Sequence, residues 1–346
     1  MERLKAQECV GVPTLTVVVP CYNYGHYLQT AVRSALDQTG VEVDVIVVDD
    51  ASTDNSRAVA LSLAESDPRV QLVTHEHNLG HIETYNDGLS RATGDYVVLL
   101  SADDVLAPGS LERAAALFEA RPDVGLVYGF VPDFTDEVPP PNLLVRDWSV
   151  WQGHEWIAHV CRRGRNIIVT PEAVVRRSIM DKLGGFEQAF PHSADMYLWM
   201  RAAAIANVGR VNGPDQAYYR THGQNMHVTS FGGHLTDKVE VRRTFEKFFD
   251  SDGSEVDDAF GLYRTACRAI AKEALRSSSL LADAGHSDDA NDLLAFAEET
   301  WPEIIGSISW RWAKRAPHFG VSRSVARTVD GTRWAMRWRR WRRDGT

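Results

Sequence analysis

The chain has 346 residues, 44% of them apolar and 24% charged, which is enough to bury one large α/β core with a smaller helical appendage and argues against wholesale disorder. Its formal charge of −10 is unevenly placed: residues 309–346 carry 11 Lys/Arg against 2 Asp/Glu, leaving 26 against 45 in the other 308 residues. A body that acidic argues against nucleic-acid binding, whereas the basic tail suits an anionic partner. Residues 1–13 contain no apolar run, so no leader is expected, and no stretch of 18 apolar residues predicts a membrane span. Cys9, Cys21, Cys161 and Cys267 are scattered without a CxxC pair, which reads as reduced thiols in a cytoplasmic protein.

Residues 15–19 (LTVVV) form a β-branched run of the kind buried on both faces of a sheet, and residues 26–38 have helical spacing through Leu28, Val32, Ala35 and Leu36. A second buried strand at 43–48 (VDVIVV) ends abruptly in Asp49-Asp50. Helix is expected at 56–64, strand at 70–74 and helix at 82–92; the strand at 96–100 (YVVLL) then ends in Ser101-Ala102-Asp103-Asp104. A helix at 110–119 and a strand at 124–128 complete an alternation that predicts an α/β fold, a mostly parallel sheet covered by helices. Residues 131–147, with four prolines and several acids, read as a surface loop or lid. Helix at 151–161, strand at 167–175 and helix at 193–206 follow, and beyond Gly232 only helices are expected, at 235–249, 259–284 and 288–301. The chain therefore divides into an extension (1–13), an α/β domain (14–230), a helical region (231–308) and a basic tail (309–346).

In an open parallel sheet, ligands bind beyond the carboxyl ends of the strands. Three such ends carry polar clusters here: Pro20-Cys21-Tyr22-Asn23, the run from Asp49 through Asp54, and Asp103-Asp104. Taken singly, Asp49-Asp50 could be the acidic lead-in to the helix at Ser56, and SADD before Pro108 could simply start a helix. Taken together, acids from two strand ends in one crevice repel unless a cation or a donor-rich ligand lies between them.

In chain order, VVVPCYN, VVDDASTDNS, HNLG and GDYVVLLSADD resemble the successive motifs of the inverting family 2 glycosyltransferases. LGGFEQAFPHSADMYLWMRAA and YYRTHGQNMH resemble that family's acceptor-side and closing segments, so the resemblance spans residues 14–227. It implies the GT-A fold and transfer of a sugar from a UDP- or dTDP-sugar to a hydroxyl by a single displacement assisted by Mg²⁺ or Mn²⁺, in polysaccharide, glycolipid or glycoconjugate synthesis. It implies that Pro20, Tyr22 and Asn23 line the base and ribose, that Asp50 accepts the imino N–H of the base while Asp49 supports the turn, and that Asn78 and Gly80 neighbour the donor. Ala102, Asp103 and Asp104 match the DxD-type motif, with Asp103 the main metal ligand and Asp104 the second, although Ser101 occupies its first position. Asp195 matches the catalytic base, with Ala194 where the family often has Glu. His222 would ligate the metal or bind the diphosphate, and Arg220 would add positive charge there.

Trp334, Trp338 and Trp341 fall on one helical face among Arg333, Arg337, Arg339, Arg340, Arg342 and Arg343, a pattern suited to an anionic membrane surface; packing on the acidic body and a dimer contact are the alternatives. The acceptor is expected to be a glycan, a lipid-linked molecule or a small molecule, read by residues 131–165 and the helical end. A dinucleotide-dependent oxidoreductase would need GxGxxG after the first strand, which PCYNYGHYL lacks. The remaining alternative is an inactive GT-A-fold binding or scaffolding protein; Ser101 and Ala194 favour it, and Asp103 and Asp195 argue against it.

Overall fold

The computed structural model describes residues 1–225 and 233–315, so the tail tryptophans and arginines at 333–343, and the end of the closing motif at 226–227, lie outside the described residues. The chain forms two compact units, one of Met1–Trp156 with Ile168–His222, the other of Ile157–Ile167 with the chain from Gly223.

The first unit is built on a nine-stranded sheet. In chain order its elements begin β1 (Glu2–Leu4), β2 (Thr14–Cys21), α1 (Gly25–Leu36), β3 (Glu42–Asp49), α2 (Ser56–Ser66), β4 (Val70–Thr74), α3 (His81–Ser90) and β5 (Tyr96–Leu99). They continue with β6 (Val105–Leu106), α4 (Ser110–Ala120), β7 (Val124–Tyr128), β8 (Asp133–Phe134), β9 (Asp147–Trp151) and α5 (Gly153–Arg163), which from Ile157 belongs to the second unit, and end with β10 (Val174–Arg176), α6 (Arg177–Leu183), α7 (Ala194–Ile205), β11 (Asn207–Asn212) and β12 (Ala217–Arg220). The sheet order is β1-β9-β11-β7-β10-β5-β2-β3-β4, and seven of the nine strands run the same way, β9 and β10 running against them. This parallel majority gathers the strand ends at one edge: Cys21 lies opposite Asp49, and Leu99 opposite Val18.

The β-branched runs explain the central strands. Val17, Val19, Val45 and Val47 are fully buried, as both faces of the sheet are covered. α1 turns Leu28, Ala31, Val32 and Ala35 onto the sheet at helical spacing, and the burial of Leu28 and Val32 contributes roughly 1.5–3 kcal/mol each relative to exposure.

Three expectations need correction. Residues 167–175 are not one strand: a 3-10 turn at Thr170–Glu172 precedes the short antiparallel β10, because Pro171 has no N–H to give to a ladder. Glu172 is buried in this turn and accepts hydrogen bonds from the Val169 and Gly129 amides, and burial pushes its pKa up to about 8. Residues 131–147 are not wholly loop, since β8 pairs with β12 in a three-stranded sheet of order β6-β12-β8. Residues 2–4 are not merely an extension, because β1 pairs antiparallel with β9 at the sheet edge.

The second unit is helical, with α8 (His234–Asp250), α9 (Ala259–Ala284), α10 (Ser287–Thr300) and α11 (Ile308–Arg315). α9 buries Ala266, Ile270, Ala271, Ala274 and Leu275, and α10 buries Ala290, Leu293, Phe296 and Ala297, the small residues allowing the two antiparallel helices a close approach. No described helix is long and apolar enough to cross a membrane.

Candidate functional site

Beyond the last residue pair of β2 and β3, the Asp50 N–H donates to the Cys21 carbonyl at 2.9 Å and keeps the two strand ends together. Asn23 then adopts a left-handed conformation (φ 60°), and its Oδ1 accepts from the Thr53 and Asp54 amides at 2.8 and 3.3 Å, while its own N–H donates to Ser52 Oγ at 3.0 Å. The PCYN and DDASTD turns are thereby locked to each other. Asn23 shapes this wall from within; the Tyr22 side chain is 46% exposed and free to face a ligand.

Asp50 is buried, and its carboxylate is held by its own chain. Oδ1 accepts from Leu79 N–H and His75 Nδ1, each at 2.8 Å, and Oδ2 accepts from Gly80 N–H at 3.0 Å; the Asn78 side chain donates to the Asp50 carbonyl at 3.3 Å. Each carboxylate oxygen offers two lone pairs, so Oδ2 retains capacity for one more donor. Asp49 lies beneath the turn with Oδ1 buried and without a hydrogen-bond partner among the described residues; its support of the turn runs through its carbonyl, which accepts from His75 N–H at 3.0 Å.

His75 bridges two acids, since its Nε2 lies 3.2 Å from Asp87 Oδ2. Both ring nitrogens facing carboxylates require the doubly protonated ring. Burial opposes that charge, yet Asp50 and Asp87 outweigh it and raise the His75 pKa above its ordinary value. A raised folded-state pKa gives stabilisation that is complete below the unfolded value of about 6.5 and is lost as pH climbs through the folded value. The wild type is therefore expected to lose stability between pH 6 and pH 8 by a contribution that His75→Gln lacks. Urea midpoints at the two pH values measure it, and identical pH slopes for both proteins would contradict the bridge.

The second acidic turn follows β5. Leu100 N–H donates to the Val18 carbonyl, and Asp104 N–H closes the turn onto the Ser101 carbonyl at 3.0 Å. β6, which comes next, pairs with β12, and that pairing returns Arg220 and His222 to the same turn. His222 Nε2 lies 3.0 Å from Asp103 Oδ2. The Arg220 amide donates to Asp104 Oδ1 at 2.9 Å, while its guanidinium donates to the carbonyls of Asp103, Thr135 and Asp136 and lies between the rings of Tyr27 and Phe134, at 4.5 and 4.3 Å. Arg220 is thus a clamp that joins the acidic turn to β8, with its N–H groups directed at carbonyls. Asp104 is buried beneath it, and burial, then the neighbouring Asp103 charge, raise its pKa well above its ordinary value. Ala102, also buried, leaves only its backbone to a ligand.

Among the described residues no group of three or more His, Cys, Asp or Glu side chains is placed to hold a metal ion. Asp103 and His222 form a two-donor set. That suits Mg²⁺ or Mn²⁺, which are commonly held by one or two protein ligands and complete their shell with substrate phosphates and water.

The third component is α7, with Asp195 in its first turn and Asp195 Oδ1 accepting from Met196 N–H at 2.7 Å. The segment that leads to it is held by α3. His81 Nε2 donates to the Pro191 carbonyl at 2.8 Å, and the Asn86 side chain both donates to the Phe186 carbonyl (2.8 Å) and accepts from its N–H (2.7 Å). Tyr85, on the same face, packs edge-on against Phe186 with ring centroids 5.3 Å apart. Its hydroxyl is kept protonated, by burial first and then by the charges of Asp103, Asp195 and Asp104.

Gly185 has φ +90°, and a Cβ there would lie 2.3 Å from Asn86 Oδ1. Gly185→Ala is therefore expected to lower stability by roughly 1–3 kcal/mol, from backbone strain and the broken Asn86–Phe186 pair. In a double-mutant cycle with Asn86→Ala the two losses should be less than additive, and full additivity would show that the contact is idle.

His75, His81, Tyr85 and Asn86 were not singled out by the sequence reading. The available signal was their place: all four flank or follow the HNLG motif, and His81 and Tyr85 are spaced i, i+4.

The profile of the family described as Glycosyl transferase family 2 matches residues 16–184. An uncharacterized glycosyltransferase of Nostoc sp. (strain PCC 7120) is 30% identical over 228 residues, 62% of this chain and 67% of the relative. The crystal structure of Staphylococcus aureus TarS 1–349 in complex with UDP-GlcNAc superposes with a TM-score of 0.63 at 15% identity, covering 93% of this chain and 92% of that one. The mannosyltransferase PcManGT of Pyrobaculum calidifontis, in complex with GDP-Man and Mn²⁺, superposes with a TM-score of 0.57 at 20% identity, covering 99% and 86%. The fold is GT-A-like, as the order of strands and acidic turns anticipates.

Proposed function

The chain belongs to glycosyltransferase family 2, and on that premise we propose that it moves a sugar from a UDP- or dTDP-sugar to an acceptor hydroxyl with inversion, catalysis residing in residues 14–230. The observation that carries this reading is the acidic turn beyond β5, where His222 Nε2 lies 3.0 Å from Asp103 Oδ2 and the Arg220 amide holds Asp104 Oδ1 at 2.9 Å. Nucleotide sugars in the complexes of TarS and PcManGT support the donor class.

In this reading Pro20, Tyr22 and Asn23 shape the base and ribose wall, and the remaining lone pair of Asp50 Oδ2 takes the base N–H, with Asn78 and Gly80 fixing that turn. Asp103 and His222 would hold Mg²⁺ or Mn²⁺, with Asp104 behind them, and such a cation would supply positive charge to the diphosphate leaving group. Arg220 keeps that turn in place. Asp195 takes the acceptor proton as the acceptor oxygen bonds to the anomeric carbon and the bond from that carbon to the diphosphate oxygen breaks.

The acceptor is a glycan, a lipid-linked molecule or a small molecule, in polysaccharide, glycolipid or glycoconjugate synthesis. Cytoplasmic action, with the basic tail against an anionic membrane face, belongs to the same proposal. A thermal-shift series with UDP, dTDP and GDP, each with and without Mn²⁺, tests the donor half. A Mn²⁺-dependent rise in Tm with a pyrimidine diphosphate is expected; no response to any of the three removes the proposal.

A further inference from the structure

The described part of the second unit carries a group of exposed apolar side chains on and around α11. α11 (ISWRWAKR) turns Ala313 inward and anchors Trp310 through its Nε1–H to Glu298 at 2.7 Å. Its other face carries Ile308 and Trp312, spaced i, i+4 and 76% and 63% exposed, and Ile305, three residues earlier, is 52% exposed. Phe260, 73% exposed, belongs to the same end of the unit, because the Arg264 guanidinium lies over both its ring and that of Trp301, at 5.9 and 4.8 Å. Large apolar side chains this exposed and this grouped mark a contact surface.

Acids border this end of the unit, Asp257 and Asp258 just before Phe260 among them, but the helix that carries Ile308 and Trp312 does not share them. Arg311, Lys314 and Arg315 make α11 basic, with no acid of its own. The nearest acids are engaged within the unit: Glu298 with Trp310, Glu303 with Arg264 at 2.8 Å, and Glu299 with Arg242 at 2.8 Å. Arg311 has no carboxylate partner among the described residues.

We propose that Ile305, Ile308 and Trp312, framed by Arg311 and Lys314, dock the protein on an anionic lipid bilayer, the apolar side chains entering at the level of the headgroups and the cations pairing with lipid phosphates. The chain's own tail is a poor occupant, since residues 316–346 hold 8 Lys/Arg against 2 Asp/Glu and would meet α11 with like charge. The acidic surface of a second copy would satisfy the cations but set Ile308 and Trp312 against charge. A bilayer satisfies both. The proposal rests on the membrane reading of the basic tail and assigns it to the tail's folded start, α11, rather than to the tryptophans and arginines at 333–343, so the test must separate the two.

The full chain is sedimented with sucrose-loaded phosphatidylcholine vesicles, with and without one-third phosphatidylglycerol. Wild type is expected to pellet with the anionic vesicles alone and to be released by salt. Ile308→Asp/Trp312→Ser should bind about tenfold or more weakly at unchanged Tm, because neither side chain is buried. A chain cut after Gly331 should keep the binding due to α11. Equal pelleting of wild type and double variant overturns the proposal. So does complete loss on truncation with the double variant unaffected, which leaves the tail reading standing. A wild-type dimer that the double variant dissociates, without vesicle binding, assigns the face to a second copy and also overturns it.

Discussion

Asp195→Asn is expected to lower kcat by at least 10²-fold, within the 10²–10⁴-fold range typical of a positioned general base, while leaving the affinity for nucleotide nearly unchanged. The asymmetry follows from where Asp195 sits. It lies in the first turn of α7 and accepts from Met196 N–H, a bond that the amide oxygen of Asn reproduces, so the segment should keep its course. What the amide cannot do is take a proton. The lost carboxylate charge at a helix N-terminus costs about 0.3–1 kcal/mol, too little to unfold the domain. In the proposed reading the donor contacts are made by the Asp50 and Asp103 turns, which the substitution leaves unchanged in sequence. Steady-state kinetics with donor KM, alongside calorimetry with the nucleoside diphosphate, separate the two effects. Turnover within tenfold of wild type would remove Asp195 from the role of base, and a matching loss of nucleotide affinity would make it part of the donor site instead.

Much of this arrangement was legible because the central strands announce themselves. LTVVV, VDVIVV and YVVLL are β-branched or apolar throughout and stop at acids, so β2, β3 and β5 and the turns beyond them could be placed from residue type alone. The elements that assemble the cleft were illegible for the opposite reason. β6 and β8 have two residues each and β12 four, too few for any period to show, and their pairing is non-local. Those strands bring His222 to Asp103 across 119 residues. Arg220 shows the difference most clearly. Its charge and its place in YYRTH were visible, but not that its guanidinium would reach the carbonyls of Thr135 and Asp136, which lie in a stretch read as loop. His75 is similar: a histidine before HNLG carries no mark of the two carboxylates that fold around it.

Asp103→Ala should act on binding and chemistry together, and this separates it from Asp195→Asn. Asp103 and His222 are the two donors that meet at the acidic turn, so removing one leaves a single imidazole, too weak an anchor for a hard cation that prefers oxygen. A cation stabilising the leaving diphosphate by several kcal/mol corresponds to at least 10²-fold in kcat/KM, since each 1.36 kcal/mol is tenfold. Nucleotide affinity should fall by a similar factor in Mn²⁺ and hardly at all in a chelator, because the base and ribose contacts survive. His222→Ala should move both quantities in the same direction by less, as Asp103 alone can still hold the cation. If the pair shares one cation, the double variant should lose little more than Asp103→Ala alone. Fully additive losses would mean that the two side chains act at separate places, with the 3.0 Å contact between them a hydrogen bond of the resting fold and nothing more.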